Sequence, residues 1–239
     1  MKLSKNLSSQ IEKLKKEWDK TVLYILKKYG IESGNEKTIE TESVKQFKPD
    51  TPYQFAIISG PSGVGRSTIG KILRENNVPG VRHYTTRPPR SDKEKRSGIY
   101  VYVSQAEFAK MQKQGAFLQV AVTYGDWRGI SKKEVLNLMK IGQKFYIDKS
   151  VWTTQKLLQK KEIKKSHHIR IFILPPSFNE LVKRLIGRSE QDQTNVDEEK
   201  VLDRLNKSVE ALRDGLGMYH VYLVNDNLEK IAKKILGYL

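Results

Sequence analysis

The 239-residue chain predicts an α/β fold, a parallel sheet flanked by helices, on three observations. From residue 53 onward, apolar runs of strand length alternate with segments of helical periodicity. Strand alternating with helix sets parallel strands side by side and puts helices over both faces. Glycines cluster directly behind the first of these apolar runs, where a strand turns into a helix. The chain is 38% hydrophobic, which suffices for a core and sets aside wholesale disorder and low-complexity classes.

Taken in order, Leu3, Leu7, Ile11, Leu14, Trp18, Val22 and Ile25 form one apolar stripe on an amphipathic helix over residues 1–30, which Gly30 ends. Such a stripe must cover something, either the chain's own main domain or a second copy or partner. Residues 31–52 are polar, lack periodicity and close on two prolines, and they read as a linker. The main domain spans 53–239. Its strands are read at Tyr53–Ser59, Lys144–Ile147, Ile169–Leu174 and Val221–Val224. A helical pattern follows the glycines from Ser67 to Asn76. Further ones run over Gln105–Gln114, Lys132–Met139, Thr153–Gln159, Phe178–Ile186, Glu198–Arg213 and Leu228–Leu236. Ser177 and Asn179 compete as cap of the helix at 178.

Composition narrows the chemistry. No cysteine means no disulfide framework, thiolate nucleophile or Cys-ligated zinc. Of four histidines, His167 and His168 sit in a lysine-rich stretch that reads as solvated surface, as does Lys93–Arg96, leaving little for a metal cage. No apolar run reaches the roughly 20 residues that span a bilayer. The first twenty residues lack the apolar block of a secretory signal, so the expected location is cytoplasmic, with no membrane partner. The formal charge is +17, of which residues 1–50 carry +3 and the remainder +14. That balance favours anionic partners such as nucleotides; charge alone does not carry a nucleic-acid reading.

Gly60-Pro-Ser-Gly-Val-Gly65-Arg66-Ser67-Thr68 has the pattern of a phosphate loop, G-x-x-x-x-G-K-[ST], between a strand and a helix. Its glycines let backbone N–H groups converge on phosphate oxygens, and the helix N-terminus adds partial positive charge. Ser62, Gly63, Val64, Gly65, Arg66, Ser67 and Thr68 are thus candidates for ATP, with the Ser67 hydroxyl for Mg2+. One position departs from the pattern: Arg66 stands where lysine is expected, a planar fork in place of a compact point charge. Downstream, Thr85-Thr86-Arg87-Pro88-Pro89-Arg90 sets two guanidiniums on a proline-stiffened turn, a clamp suited to a phosphate dianion.

With these two segments in place the sequence resembles the guanylate kinase family through most of 53–239. GPSGVGRST follows that family's phosphate loop except at Arg66, and TTRPPR follows its TTR-x-P-R segment. Gly98, Tyr100-Val-Tyr-Val, Phe108, Gly115-Ala-Phe-Leu, Gly125-Asp-Trp-Arg-Gly129, Phe172–Ser177, Arg184–Arg188, Arg204-Leu and Val224-Asn-Asp226 continue the order. The resemblance implies a P-loop sheet with a small acceptor-binding insertion at 82–130 and a lid at 184–200. It further implies Arg66, Arg184, Arg188 and Arg204 around the transferring phosphoryl group, Asn225 near the adenine, and Asp148 as the first acid of a D-x-D pair. Arg87, Arg90 and Tyr100 would hold the acceptor phosphate. That family reads guanine with a Glu and an Asp, whose places fall here on Gln119 and Ser150; its supporting serines become His83 and Ile130, and a loop tyrosine becomes Arg128. The expected function is therefore an ATP- and Mg2+-dependent nucleoside monophosphate kinase with altered base preference. The alternative is a related binding module that recognises a phosphorylated or acidic partner without turnover.

Overall fold

The computed structural model describes residues 4–28, 38–40, 53–123, 125–192 and 197–239, the side chains at 26, 38–40, 93, 123 and 188–192 excepted. The first half runs α1 (Lys5–Lys28), β1 (Thr38–Glu40), β2 (Phe55–Ser59), α2 (Arg66–Glu75), β3 (His83–Thr85), α3 (Asp92–Arg96), β4 (Tyr100–Tyr102), α4 (Gln105–Lys113) and β5 (Phe117–Thr123). The second runs β6 (Asp126–Ser131), α5 (Lys132–Lys140), β7 (Phe145–Asp148), α6 (Val151–Leu158), α7 (Lys161–Lys164), β8 (His168–Leu174), α8 (Phe178–Asp192), α9 (Glu198–Asp214), β9 (Val221–Val224) and α10 (Leu228–Tyr238). No helix among the described residues is long and apolar enough to cross a membrane.

The larger sheet has the order β1-β9-β8-β2-β7, and its last four strands are parallel. All five residues of β2 are buried, because this strand has neighbours on both sides and cover on both faces. One core, around Ile58, Leu73, Ile171 and Leu205, fills one face; Phe55, Ile57, Phe145 and Ile147 pack with Val81, Leu118 and Ile130 on the other. β1 pairs antiparallel to β9 at the edge, Thr38 opposite Leu223, which amends the linker reading at 38–40. Three residues are too few to show a period, and only the open edge of β9 gives them partners. The remaining linker positions, 31–37 and 41–52, lie outside the described residues.

A second sheet, β4-β3-β6-β5, stands beside the first and is mostly antiparallel. Its strands β3 and β4 are three residues each, so no run of sequence announces them. Lys93–Arg96, expected as loop, lies within α3, whose start Ser91 caps by accepting from the Glu94 N–H at 3.1 Å. Elsewhere caps fall on short polar residues: Ser104 and Glu107 form a capping box on α4, and Ser177, of its two candidates, accepts from Glu180 N–H at 3.1 Å.

The α1 stripe is used inside the chain. Leu7, Ile11, Leu14, Trp18 and Ile25 are buried against the main core, with the Trp18 and Phe178 rings 5.7 Å apart. Ser4 fixes one end by donating to Glu198 from its hydroxyl at 2.6 Å and its N–H at 2.9 Å. The surface that motivated a dimer or partner reading is therefore already covered. His168 also departs from expectation: it opens β8 and stacks 5.3 Å from Phe55, because Ile163 of α7 buries and draws the lysine-rich stretch onto the domain.

Candidate active site

Strand β2 ends at the middle of the parallel sheet, and the chain turns there through Gly60–Gly65 into α2. A Cβ at Gly60 would run into the Ile173 carbonyl, so the loop passes too close to β8 for any side chain. Gly65 has φ +92°, and a Cβ there would lie 2.8 Å from both Asn225 Nδ2 and Leu228 Cδ2. Asn225, nearly fully buried beyond β9, donates from Nδ2 to the Val64 carbonyl at 2.6 Å. The sequence reading placed it beside ATP; its visible work is to brace the loop. No side chain caps α2, so its first N–H groups face the loop's concavity, an anion site by geometry and by dipole. Ser67 and Thr68 are exposed at that turn, and Ser62 and Gly63 are half-buried in the loop. Among the described residues no group of three His, Cys, Asp or Glu gathers for a metal. Mg2+ needs little from protein when phosphate oxygens supply the rest, and the exposed Ser67 hydroxyl is the hard oxygen donor it fits.

Arg66 lies across the base of this loop. Its Nη1 donates to the Gly60 carbonyl at 2.7 Å and reaches the Lys149 carbonyl at 3.4 Å, while Nε is 3.3 Å from Asp148 Oδ1. A lysine carries its donors on a single nitrogen, whereas the fork spreads Nη1 and Nε to acceptors in different places. Asp148 ends β7, and Lys149 follows it, buried, with its N–H on the Ile58 carbonyl at 3.0 Å. Burial pushes the Lys149 ammonium down to about 7, against the attraction of Asp148 and with Arg128 adding to the fall.

The second sheet brings the remaining candidates onto one face. His83 stands beside Tyr100 in parallel register and opposite Ile130, which in turn stands opposite Gln119. The next row on that face carries Tyr102, Thr85, Arg128 and Ala121. Burial, then Lys149, Arg128 and Arg66, hold His83 well below its ordinary value, so its imidazole is neutral at pH 7. Arg87 is buried after β3, with its guanidinium 5.4 Å from the Tyr100 ring and paired to Glu94 through Nη1 at 3.1 Å and Nη2 at 2.9 Å. Glu94 also accepts from the Arg90 N–H at 2.7 Å, while the Arg90 side chain is exposed. Ser150 is occupied as the cap of α6.

On the far side of the loop, α8 comes close at Gly63, where a Cβ would lie 3.7 Å from Arg184 Cβ. Arg184 Nε is paired to Glu180 at 2.9 Å, and Arg204 is half-buried on α9. The Arg188 side chain and residues 193–196 of the expected lid lie outside the described residues. Sequence reasoning missed two members of the site. Glu94 falls in a stretch that reads as solvated loop, although Ser91-x-x-Glu94 is the sequence signature of a helix start. Lys149 is the second; a lysine just past the apolar stretch Phe145–Ile147, beyond Asp148 at the strand's end, is an unusual place for a buried charge.

Residues 53–239 match the guanylate kinase family model. The chain belongs to the guanylate kinase family. A guanylate kinase of Clostridium tetani is 34% identical over 180 residues, covering 75% of this chain and 81% of the relative. One from a Nostoc species is 33% identical over 187 residues, covering 76% and 87%. Among solved structures, guanylate kinase from Anaplasma phagocytophilum superposes with a TM-score of 0.60 at 23% identity, over 78% of this chain and 84% of that one. That likeness supports the fold. Family membership covers the two-sheet domain and leaves α1 and β1 as additions to it.

Proposed function

We propose that the protein is an ATP-dependent nucleoside monophosphate kinase of guanylate kinase type. The observation that carries this reading is that a phosphate loop and a basic face of the second sheet meet at Arg66, which is anchored to Gly60 on one side and to Asp148 and Lys149 on the other. The Gly60–Gly65 loop opens at the end of β2, and the face bearing His83, Tyr100, Gln119 and Arg128 stands beside it, with Asp148 and Lys149 between. The N–H groups of Ser62–Thr68 bind the donor phosphates, Arg66 and Ser67 at their edge. Residues 82–130 form the acceptor-binding insertion, in which Arg87, Arg90 and Tyr100 hold the acceptor phosphate. Arg184, Arg188 and Arg204, carried by α8, α9 and the lid at 184–200, neutralise charge on the group in flight.

An acceptor phosphate oxygen attacks the γ-phosphorus in line, a new P–O bond forms, and the bond to the β-phosphate oxygen breaks to release ADP. The nucleophile is already an anion, so the chain has only to position the two phosphates and neutralise charge. Mg2+, where bound beside Ser67, supplies further charge neutralisation on the donor phosphates. The binding-module alternative draws no support from the relatives, whose name is that of an enzyme. The test is ADP release from ATP and Mg2+ with a panel of nucleoside monophosphates. Product from at least one supports the reading, and none from any of them overturns it.

A further inference from the structure

α1, which lies outside the family domain, runs beside a helix that lies within it. At one end Ser4 donates to Glu198 from its hydroxyl at 2.6 Å and its N–H at 2.9 Å, and at the other Arg213 Nη1 reaches Glu17 at 3.4 Å. Start is matched to start, so α1 and α9 point the same way. Leu7, Ile11 and Leu14 bury in the main core between these two joints. β1, the other addition, pairs with β9, the strand that follows α9. The additions thus hold the α9–β9 arm of the domain from its outer side.

Two helices set in parallel bring their positive ends together. α1 has no acidic residue in its first turn, whereas α9 has Glu198 and Glu199. Glu198 serves both helices: it is the first residue of α9, and its carboxylate takes the two Ser4 donors at the start of α1. The same Ser4 hydroxyl caps α1 by accepting from the Leu7 N–H at 3.2 Å. The Ser4 hydroxyl, then its N–H, hold the Glu198 carboxyl below its ordinary value, so the shared group is an anion at neutral pH.

This joint sits where α9 is least embedded. Asp197 and Glu198 are half-buried, Glu199 and Lys200 are exposed, and Val201 is the first residue of the helix to reach the core. Arg204 follows Glu198 at about 9 Å along the axis, so the tilt of α9 at its start sets where Arg204 projects.

Resting on the kinase reading, in which Arg204 neutralises charge on the group in flight, we propose that Ser4 is a positioning residue for the transfer. Through Glu198 it fixes the start of α9 and, with it, the placement of Arg204. A cation set in place beforehand needs no reorganisation when the transfer begins. Its contribution is made chiefly in the transition state, so its loss is read in kcat and not in KM.

The test compares variants of the full chain by ADP release with ATP, Mg2+ and a nucleoside monophosphate that the parent protein uses. Ser4→Ala and Glu198→Ala break the joint. Each is expected to lower kcat about three- to tenfold, with both KM values within about twofold of the parent's. Ser4→Thr keeps the hydroxyl and the cap and is expected to retain the parental kcat. Glu17→Gln loosens the far joint only and is expected to leave kcat unchanged. Parental kcat in Ser4→Ala and Glu198→Ala, or an equal fall in Glu17→Gln, overturns the inference and leaves the kinase reading standing. Amide hydrogen exchange guards against a general loss of folding in Ser4→Ala: faster exchange confined to the first turns of α9 supports the inference, and faster exchange throughout the domain overturns it. A parent that releases no ADP with any acceptor overturns the kinase reading and this inference with it.

Discussion

Arg66 Nε lies 3.3 Å from Asp148 Oδ1 while its Nη1 donates to the Gly60 carbonyl at 2.7 Å, so the cation of the phosphate loop is tied to the loop's own floor. A donor phosphate must draw the guanidinium away from both anchors. Arg66→Lys replaces the fork with a point charge that makes fewer competing bonds. The expected outcome is a rise in kcat of about three- to tenfold, about 0.6–1.4 kcal/mol off the barrier, read as ADP release at saturating substrates. A fall in kcat would show that the fork itself serves the transfer.

Glu94 keeps Arg87 in place through two hydrogen bonds, at 2.9 and 3.1 Å. Burial raises the Glu94 carboxyl, but the Arg87 bond, the Arg90 N–H and both guanidinium charges outweigh it, and the net shift is downward. The folded value lies below the unfolded one, so this stabilisation is complete above the ordinary carboxylate range and is lost as pH falls through the folded value. Glu94→Gln should cost about 1–3 kcal/mol in urea unfolding and raise the acceptor KM, because Arg87 then lacks its partner. An unchanged KM with the same stability loss would place Arg87 outside the acceptor site.

Burial first, then the nearby Arg170 charge, pushes His168 down to about 4 and His220 down to about 3. Both lie below the unfolded value near 6.5, so the unfolded chain takes up protons first on acidification. Stability is complete above pH 6.5 and declines as pH falls toward those folded values. Between about pH 6.5 and 4.5 ordinary carboxylates remain ionised, and the decline in Tm belongs to these two histidines together with His83, which is also held below its ordinary value. Replacing His220 with asparagine should flatten that part of the Tm curve; an identical slope would contradict the assignment.

Gly65→Ala should damage loop and fold together. The position has φ +92°, and the added methyl would meet Asn225 Nδ2 and Leu228 Cδ2 at 2.8 Å. The expected cost is about 1–3 kcal/mol of stability, with loss of the thermal shift that ATP gives the parent protein. Retained ATP protection would mean the loop tolerates the displaced Asn225 amide.

Trp18→Ala tests α1 as part of the fold. Trp18 is 3% exposed in the main core, and truncation should cost about 3–5 kcal/mol in a single unfolding transition. A loss under 1 kcal/mol, or a separate early transition, would mean that α1 is dispensable to the domain.

Legibility follows contact range. Val221–Val224 is readable as a strand because a parallel strand buried on both faces must be apolar throughout, and the α1 stripe is readable because one face of a helix repeats with the turn. β3 and β4 are not, since three residues hold no period and their partners lie far along the chain. In the site, the loop glycines and the Arg87–Arg90 turn carry local patterns, whereas Glu94 and Lys149 acquire meaning only from what faces them.

The residues alone settled the alternating α/β plan, the glycine turn between β2 and α2, and the basic character of the main domain, because each depends on spacing or composition within a short window. Tertiary packing decided that Arg66 reaches back to Gly60 and Asp148, that Asn225 braces Val64, and that Gln119 ends up with a buried oxygen lacking a partner among the described residues. The reason is physical: a hydrogen bond's partner and a side chain's burial are properties of groups brought together from distant strands, and no stretch of sequence contains both members.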